Sequence, residues 1–328
     1  MRVFVAGATG AIGQHLIPAL IEAGHEVTGT TRSAGKADGL QRLGARPVVV
    51  DGLDRAGVLA AVADAKPDVI VHQMTALSDL RSFRRLDKAF AVTNELRTRG
   101  TDYLLEAARA AGVRRFIAQS YTGVPNIRTG GPVKSEEDPF DPHPPAAMTQ
   151  TLGAIRHVET VVPGGVPEGL MLRYGGFYGP GTGNFLPDAI RKRKMPVIGS
   201  GAGVWSFIHI EDAAAATAAA VERGLPGVYN IVDDEPAPVS EWLPYLAECF
   251  GAKPPMHFPA WVGRLAAGEV GVSMMTQIRG SSNAKAKRGL GWAPRYASWR
   301  TGFRAWAAAL EGPAEGGPGL KALKKRAA

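Results

Sequence analysis

Eight residues, Ala6-Gly7-Ala8-Thr9-Gly10-Ala11-Ile12-Gly13, restrict the folds open to this chain more than any other stretch. They follow the apolar run Val3-Phe4-Val5. They precede a segment, 11–23, whose apolar positions Ile12, Leu16, Ile17 and Leu20 recur at helical spacing. Glycines three apart at such a turn have separate duties. Gly7 permits a tight reversal, Gly10 lets a pyrophosphate approach the backbone, and Gly13 lets the helix lie close on the strand. The helix start then offers free N–H groups and positive potential to phosphates. Between strand and helix at the head of a βαβ chain, the pattern predicts a dinucleotide cradle.

The alternation that follows supports that frame. Residues 26–30, 47–50, 68–72, 114–119 and 170–173 read as strands, with 47–50 a β-branched run buried on both faces. Between them lie helical segments. The longest spans 86–111, with Leu96, Leu104, Leu105 and Ala108 on its inner side. The reading is α/β: a Rossmann-type doubly wound parallel sheet with right-handed crossovers. Past Arg173 the rhythm loosens. Helices are expected at 185–194, 211–222 and 239–250, with strands at 196–198 and 228–232, the last added to the main sheet. The expected division is a dinucleotide-binding domain from 1–174 and 205–235, and a smaller, discontinuous C-terminal substrate lobe from 175–204 and 236–328. The proline-rich segment 121–147 leaves the C-terminal end of the fifth strand, where ligands bind in such sheets, and reads as an active-site cover.

The end of the second strand selects the cofactor. A carboxylate there would take the ribose 2′-hydroxyl of NAD. This chain has Thr30-Thr31-Arg32-Ser33, with Lys36 nearby. A guanidinium and a hydroxyl suit a 2′-phosphate, so NADP(H) is expected over NAD(H).

Other chemistries find little footing. The single cysteine, Cys249, excludes an internal disulfide framework and suits a reducing compartment. The seven histidines lack metal-ligand spacing, and no Gly-x-Ser-x-Gly elbow occurs. With no cleavable leader and no membrane-length apolar run, a cytoplasmic protein is expected. The net charge of +8 favours anionic ligands, but the basic clusters at 191–194 and 324–326 lack aromatic interleaving. They read as solvated surface, with neither nucleic acid nor membrane as partner.

Taken with Asp51 after the third strand, Val71-His72-Gln73-Met74-Thr75-Ala76 after the fourth and Asn94 with Gly100-Thr101 in the long helix, the chain resembles the extended short-chain dehydrogenase/reductases. These are the NAD-dependent epimerase/dehydratase family. Arg173-Tyr174-Gly175-Gly176-Phe177-Tyr178-Gly179-Pro180-Gly181 and Phe207-Ile208-His209-Ile210-Glu211-Asp212 extend the likeness over roughly 1–310. The resemblance implies a cofactor held by Gly7, Thr9, Gly10, Ala11, Ile12 and Gly13, with Arg32 and Ser33 at the ribose phosphate. Asp51 and Gly52 would hold the adenine. Met74, Thr75, Ala76, Asn94, Gln119, Tyr174, Gly176 and Phe177 would line the ribose and nicotinamide. It also implies a homodimer.

Two departures decide the chemistry. The family's Tyr and Lys, four apart on the helix after the fifth strand, fall here on Thr151 and Ile155, counted from Glu159. A threonine hydroxyl is too weak an acid, and isoleucine carries no charge. The Ser or Thr after the fifth strand is replaced by Tyr121, one step past Ser120. Tyr121 is the candidate proton donor, with Ser120 and Lys134 beside it as catalytic candidates. The arginine that grips a nucleotide-sugar diphosphate in the family falls on Trp205, which suits an apolar or ring-shaped ligand. Tyr121, Tyr178 and Trp205 are the candidate substrate contacts, and no metal is expected. The expected function is reduction of a carbonyl or activated double bond in a small apolar substrate. Epimerisation or dehydration with tightly held NAD(P), and a non-catalytic NADP(H)-binding regulator, stand as alternatives.

Overall fold

The computed structural model describes residues 1–77, 86–183 and 185–311; the basic cluster at 324–326 lies outside them. Seven parallel strands form the central sheet: β1 (Arg2–Ala6), β2 (Glu26–Thr31), β3 (Arg46–Val49), β4 (Val69–His72), β5 (Arg115–Tyr121), β6 (Glu168–Tyr174) and β7 (Gly227–Ile231). Their order is β7-β6-β5-β4-β1-β2-β3. Chain order reverses between β1 and β4, which opens a crevice at their C-terminal ends.

Strand alternation sorts the side chains into two layers. Val3, Val5, Ile117, Leu170 and Leu172 face one core, against Leu16, Ile17 and Leu20 of α1 (Ala11–Glu22) and Ala213, Ala216 and Ala220 of α5 (Ile210–Glu222). Phe4, Ala6, Phe116, Ala118 and Met171 face the other. There they meet Val58 and Val62 of α2 (Arg55–Ala65), Leu104, Leu105 and Ala108 of α3 (91–110), Val158 of α4 (Thr149–Val161) and Val162 just after it. Each of the valine, leucine, isoleucine, phenylalanine and methionine side chains contributes roughly 1.5–3 kcal/mol on leaving water, and each alanine less. The small alanines of α5 let it lie close on α1.

Several expectations are corrected. β3 is an edge strand with Val49 exposed, so its β-branched run does not mark burial on both faces. The long helix is interrupted at Phe90, and α3 contains a π-helical stretch, Leu96–Gly100. Such widened turns turn side chains off the regular helical stripe and recur at functional sites. The proline-rich segment is held at its base. Val133–Lys134 pairs in parallel with Gly280–Ser281, and Asn126 bridges to Phe140. Thr122 and Asn126 hydrogen-bond Ser281.

A second core unites Tyr178, Ile190, Val197 and Phe207 with residues of three helices. These are Trp242 and Leu246 of α6 (Val239–Cys249), Val272 and Met275 of α7 (Ala260–Thr276), and Trp299, Phe303 and Trp306 of α8 (Trp299–Glu311). The expected domain boundaries differ from this packing in two places. Phe207 packs into this second core, whereas Ala286, Leu290 and Trp292 pack into the first, beside Tyr229 and Val221.

Candidate active site

The cradle at the start of α1 is shaped by close backbone approach. A Cβ on Gly7, whose φ is 84°, would lie 2.8 Å from the Met74 nitrogen and 2.9 Å from the Gln73 carbonyl. The first turn thus abuts the exit of β4. A Cβ on Gly13 would lie 2.0 Å from the Ala8 carbonyl oxygen. Gly10 differs: it is exposed, with ordinary extended angles (φ −74°, ψ 173°), and a Cβ there meets nothing nearer than 3.4 Å. The fold does not need glycine at position 10, whereas an approaching phosphate would. No side chain caps α1, and its first turn carries no acid. The Gly7 N–H donates to Thr30 Oγ1 at 3.0 Å, tying the cradle to the end of β2.

Arg32, Ser33 and Lys36 are exposed just past β2, and Arg32 has no ion pair among the described residues. Thr31 Oγ1 accepts the Ser33 N–H at 3.2 Å and so fixes this turn. Asp51 is exposed, with one carboxylate oxygen accepting the Leu53 N–H. Gly52 is buried against Met74, whose sulfur would lie 2.3 Å from an added Cβ. Gln119 donates to the Met74 carbonyl at 3.1 Å, and the Ala76 N–H donates to Thr93 Oγ1 at 3.0 Å. These contacts hold the β4 exit as one wall of the crevice. Free first-turn amides, an open glycine and exposed cations fit a nicotinamide dinucleotide carrying phosphates.

At the ends of β4 and β5 lies a group that the motifs do not announce. Arg97, from the π-helical stretch, is 4% exposed. Its guanidinium carbon lies 5.9 Å from the Phe90 ring centroid. Burial lowers its pKa to about 10, against an opposing contribution from neighbouring Tyr121. Tyr121 is half-buried, and desolvation pushes its phenol up to about 12, with the Arg97 charge pulling the other way. His72 is buried and driven down to about 4, mainly by desolvation. Its Nδ1 accepts the Met74 N–H at 3.2 Å, so the proton sits on Nε2, which faces Thr101 Oγ1 at 3.1 Å. His72 is thus a neutral positioning residue. The sequence did hold a signal for Arg97, because positions 97, 101, 104 and 108 form one helical stripe with Thr101, Leu104 and Ala108.

Other candidates are committed elsewhere. Ser120 donates to Glu159 at 2.5 Å, and Glu159 also grips Arg173 through contacts of 2.9, 3.1 and 2.6 Å. That buried network ties β5, α4 and β6 together and commits the Ser120 hydroxyl to Glu159. Lys134 is buried, with its ammonium 2.7 Å from the Thr129 carbonyl and 3.5 Å from Asp138. It braces its own loop, neither solvated nor available to Tyr121. Tyr174 gives no ligand-facing side chain. It is buried, with its hydroxyl 2.6 Å from Thr217 Oγ1 and 3.0 Å from the Gln73 amide. Tyr178 belongs to the second core against Phe207, Phe303 and Trp306, not to a substrate surface. Thr151 bonds the Asp87 carboxylate, which also accepts the Gln150 N–H, and receives the Asn94 amide at 3.2 Å. Ile155 is buried. Neither position offers a titratable proton.

What remains is an apolar, aromatic-edged surface. Leu86, Val124, Met148, Val270, Met274 and Ile278 form its buried floor, with Tyr121, Phe90, Ala147 and Trp205 partly exposed around it. Trp205 is fixed by its indole N–H, 2.9 Å from the Met274 carbonyl. Gly176 and Phe177 are half-buried nearby in sequence, with Phe177 against Tyr174. A recess of about 880 Å³ bounded by Arg2, Asp68 and Arg114 sits at the other end of the strands. Its Arg2 and Asp68 pair with each other at 3.0 Å, so it does not compete as the site. Among the described residues no three His, Cys, Asp or Glu side chains group as metal ligands, and no helix is long and apolar enough to cross a membrane.

Residues 3–232 match the NAD dependent epimerase/dehydratase family, and the chain belongs to it. It is an NAD(P)-dependent oxidoreductase of the short-chain dehydrogenase/reductase superfamily. It is 44% identical over 310 residues to a Streptomyces 3-diazoavenalumate denitrifying reductase, covering 92% of this chain and 99% of that protein. A Stigmatella aurantiaca 4-hydroxy-2-methyl-3-oxo-4-farnesyl-3,4-dihydroquinoline-1-oxide ketoreductase is 28% identical over 88% of this chain and 85% of its own. Among solved structures, Thermus thermophilus UDP-glucose 4-epimerase in complex with NAD superposes with a TM-score of 0.71 at 25% identity, over 95% of this chain and 99% of that one.

Proposed function

We propose that the chain is an NADP(H)-dependent reductase of a small, conjugated, largely apolar substrate whose electron-poor group needs no proton relay. The group to which this reading commits is a diazo group on an aromatic ring, replaced by hydrogen with release of dinitrogen. One observation carries it: the helix that should hold the acid presents Thr151 and Ile155, and both are buried in structural roles. Tyr121, raised to about 12, is a poor acid at neutral pH. The 44% identity to a denitrifying reductase supports the same choice.

When bound, the reduced nicotinamide supplies a hydride equivalent; an arenediazonium carbon that gains hydride and loses N2 balances in charge and atoms with no added proton. The chain's own part is binding, orientation and exclusion of water. Gly7, Gly10 and Gly13, with the first-turn amides of Thr9 to Ile12, would take the pyrophosphate. Arg32 and Ser33 would take the 2′-phosphate, which is the basis for NADP(H) over NAD(H). Asp51 and Gly52 would meet the adenine, while Met74, Thr75, Ala76, Asn94 and Gln119 would flank the nicotinamide end, with Gly176 and Phe177 opposite. Phe90, Tyr121 and Trp205 would hold a flat ligand over the apolar floor. The same loss of the acid–base pair argues against epimerisation or dehydration.

Carbonyl reduction is the second reading, favoured by the Tyr121 phenol beside a cation that eases its ionisation. One variant separates the two. Tyr121→Phe should leave dinitrogen release from a diazo-hydroxycinnamate within about threefold of wild type, since no proton transfer is lost. For a ketone substrate the same change should cost about 100-fold or more in kcat. Gas release and loss of NADPH absorbance, measured on both substrate classes, check this. A diazo panel that consumes no NADPH alongside a ketone that does would replace the first reading with the second.

A further inference from the structure

Among the described residues, two deeply buried arginines differ in one respect. Arg173 is fully answered by Glu159 and stacks 4.6 Å from the Phe140 ring. Arg97 is buried to the same degree, yet its Nε and Nη1 have no hydrogen-bond partner, and no carboxylate pairs with it among the described residues. An uncompensated buried guanidinium is costly, and folds keep one where something supplies the missing charge. Among the described residues the surroundings do not supply it. His72 is neutral and presents an N–H to Thr101. The Asp87 carboxylate is spent on the first turn of α4, and Tyr121 is a neutral phenol. The guanidinium lies beside Phe90 and Tyr121, two of the partly exposed aromatic residues edging the apolar surface.

We propose that Arg97 is the anion-binding residue of the substrate site, receiving a carboxylate or phenolate oxygen of a conjugated aromatic substrate beside Tyr121 and Phe90. Nε and Nη1 lie on different edges of the guanidinium plane, so each offers an N–H of its own to an anionic oxygen, and a low-dielectric setting strengthens such a pair. This assignment deepens the reductase reading and rests on it for the location of the substrate. It adds that the enzyme selects acids or phenolates over their neutral esters and ethers.

The test is calorimetry on the NADP-loaded protein with two matched pairs of probes: cinnamate against methyl cinnamate, and 4-nitrophenolate against 4-nitroanisole. Wild type should bind at least one anion about 10-fold or more tightly than its neutral partner, and which pair discriminates identifies the oxygen. Arg97→Met should weaken that anion by about 100-fold, leave the neutral compound within about threefold, and leave NADP binding unchanged. Its thermal midpoint without ligand should equal or exceed that of wild type, because a lone buried charge is gone. Arg97→Lys should retain part of the preference, which keeps the test open if the methionine variant folds poorly. No preference in wild type, equal losses for anion and neutral probe, or weakened NADP binding in Arg97→Met would each overturn the assignment. Anion selectivity without NADPH consumption on any diazo compound would leave Arg97's role standing and refute the proposed reaction instead.

Discussion

Aspartate in place of Arg32 is expected to weaken NADPH binding about 100-fold while leaving NADH within about threefold. The positive charge at the end of β2, with Ser33 beside it, is what would tell the 2′-phosphate from a 2′-hydroxyl. Arg32 is exposed and without an ion pair among the described residues, so its guanidinium is not committed to the fold. A charge-assisted pair to a phosphate contributes roughly 1.5–3 kcal/mol, and a carboxylate in its place adds repulsion of the 2′-phosphate. The ribose hydroxyl of NADH tolerates or welcomes the same carboxylate. Fluorescence titration of both nucleotides against both proteins gives the ratio. An equal loss for the two would show that Arg32 acts on fold or pyrophosphate and not on the extra phosphate.

The second large effect separates two glycines of one motif. At Gly13 an alanine Cβ would fall 2.0 Å from the Ala8 carbonyl oxygen, and backbone cannot move aside cheaply. Overpacking there costs about 3 kcal/mol, offset by about 1 kcal/mol of helix propensity, so Gly13→Ala should lose about 2 kcal/mol. Its thermal midpoint should fall by about 3 °C. At Gly10 the backbone is extended and the space open, with 3.4 Å to the nearest atom. Gly10→Ala should therefore melt within about 1 °C of wild type. It should still lose at least about 10-fold in NADPH affinity, because the new methyl group occupies ground that a pyrophosphate would need. Calorimetric melting and titration on the pair check both halves. A Gly10→Ala protein with normal affinity would remove the cradle from the account.

The sheet was readable because its rules are local. Period-two apolar runs, a glycine triplet and helical stripes each declare themselves within ten residues, and the seventh strand at Gly227–Ile231 followed from the same pattern. β3 lies at the edge although its run is β-branched, because such a composition fits an edge strand as well as a central one. The site was only half legible. The loss of the Tyr and Lys positions could be counted from Glu159, but the fate of Lys134 could not. Its burial depends on a strand pairing with residues 280–281, far along the chain. Tyr174 and Tyr178 looked ligand-facing because they flank a motif of the family, yet their side chains point into two different cores. The leucines of α3 mark its inner face, and Arg97 shares that stripe without any motif to single it out. A cation on that stripe is informative only once the structure shows that nothing answers it.

The central claim is that this chain delivers the hydrogen of a dinucleotide to carbon without a protein acid. The direct measurement follows isotope through one turnover, using NADPH deuterated at the nicotinamide C4 and a diazo-hydroxycinnamate in ordinary water. The account predicts one deuterium at the ring carbon that loses nitrogen, with one N2 released per NADPH consumed. Product without that label, or label entering the same carbon from D2O when the cofactor is unlabelled, would contradict it.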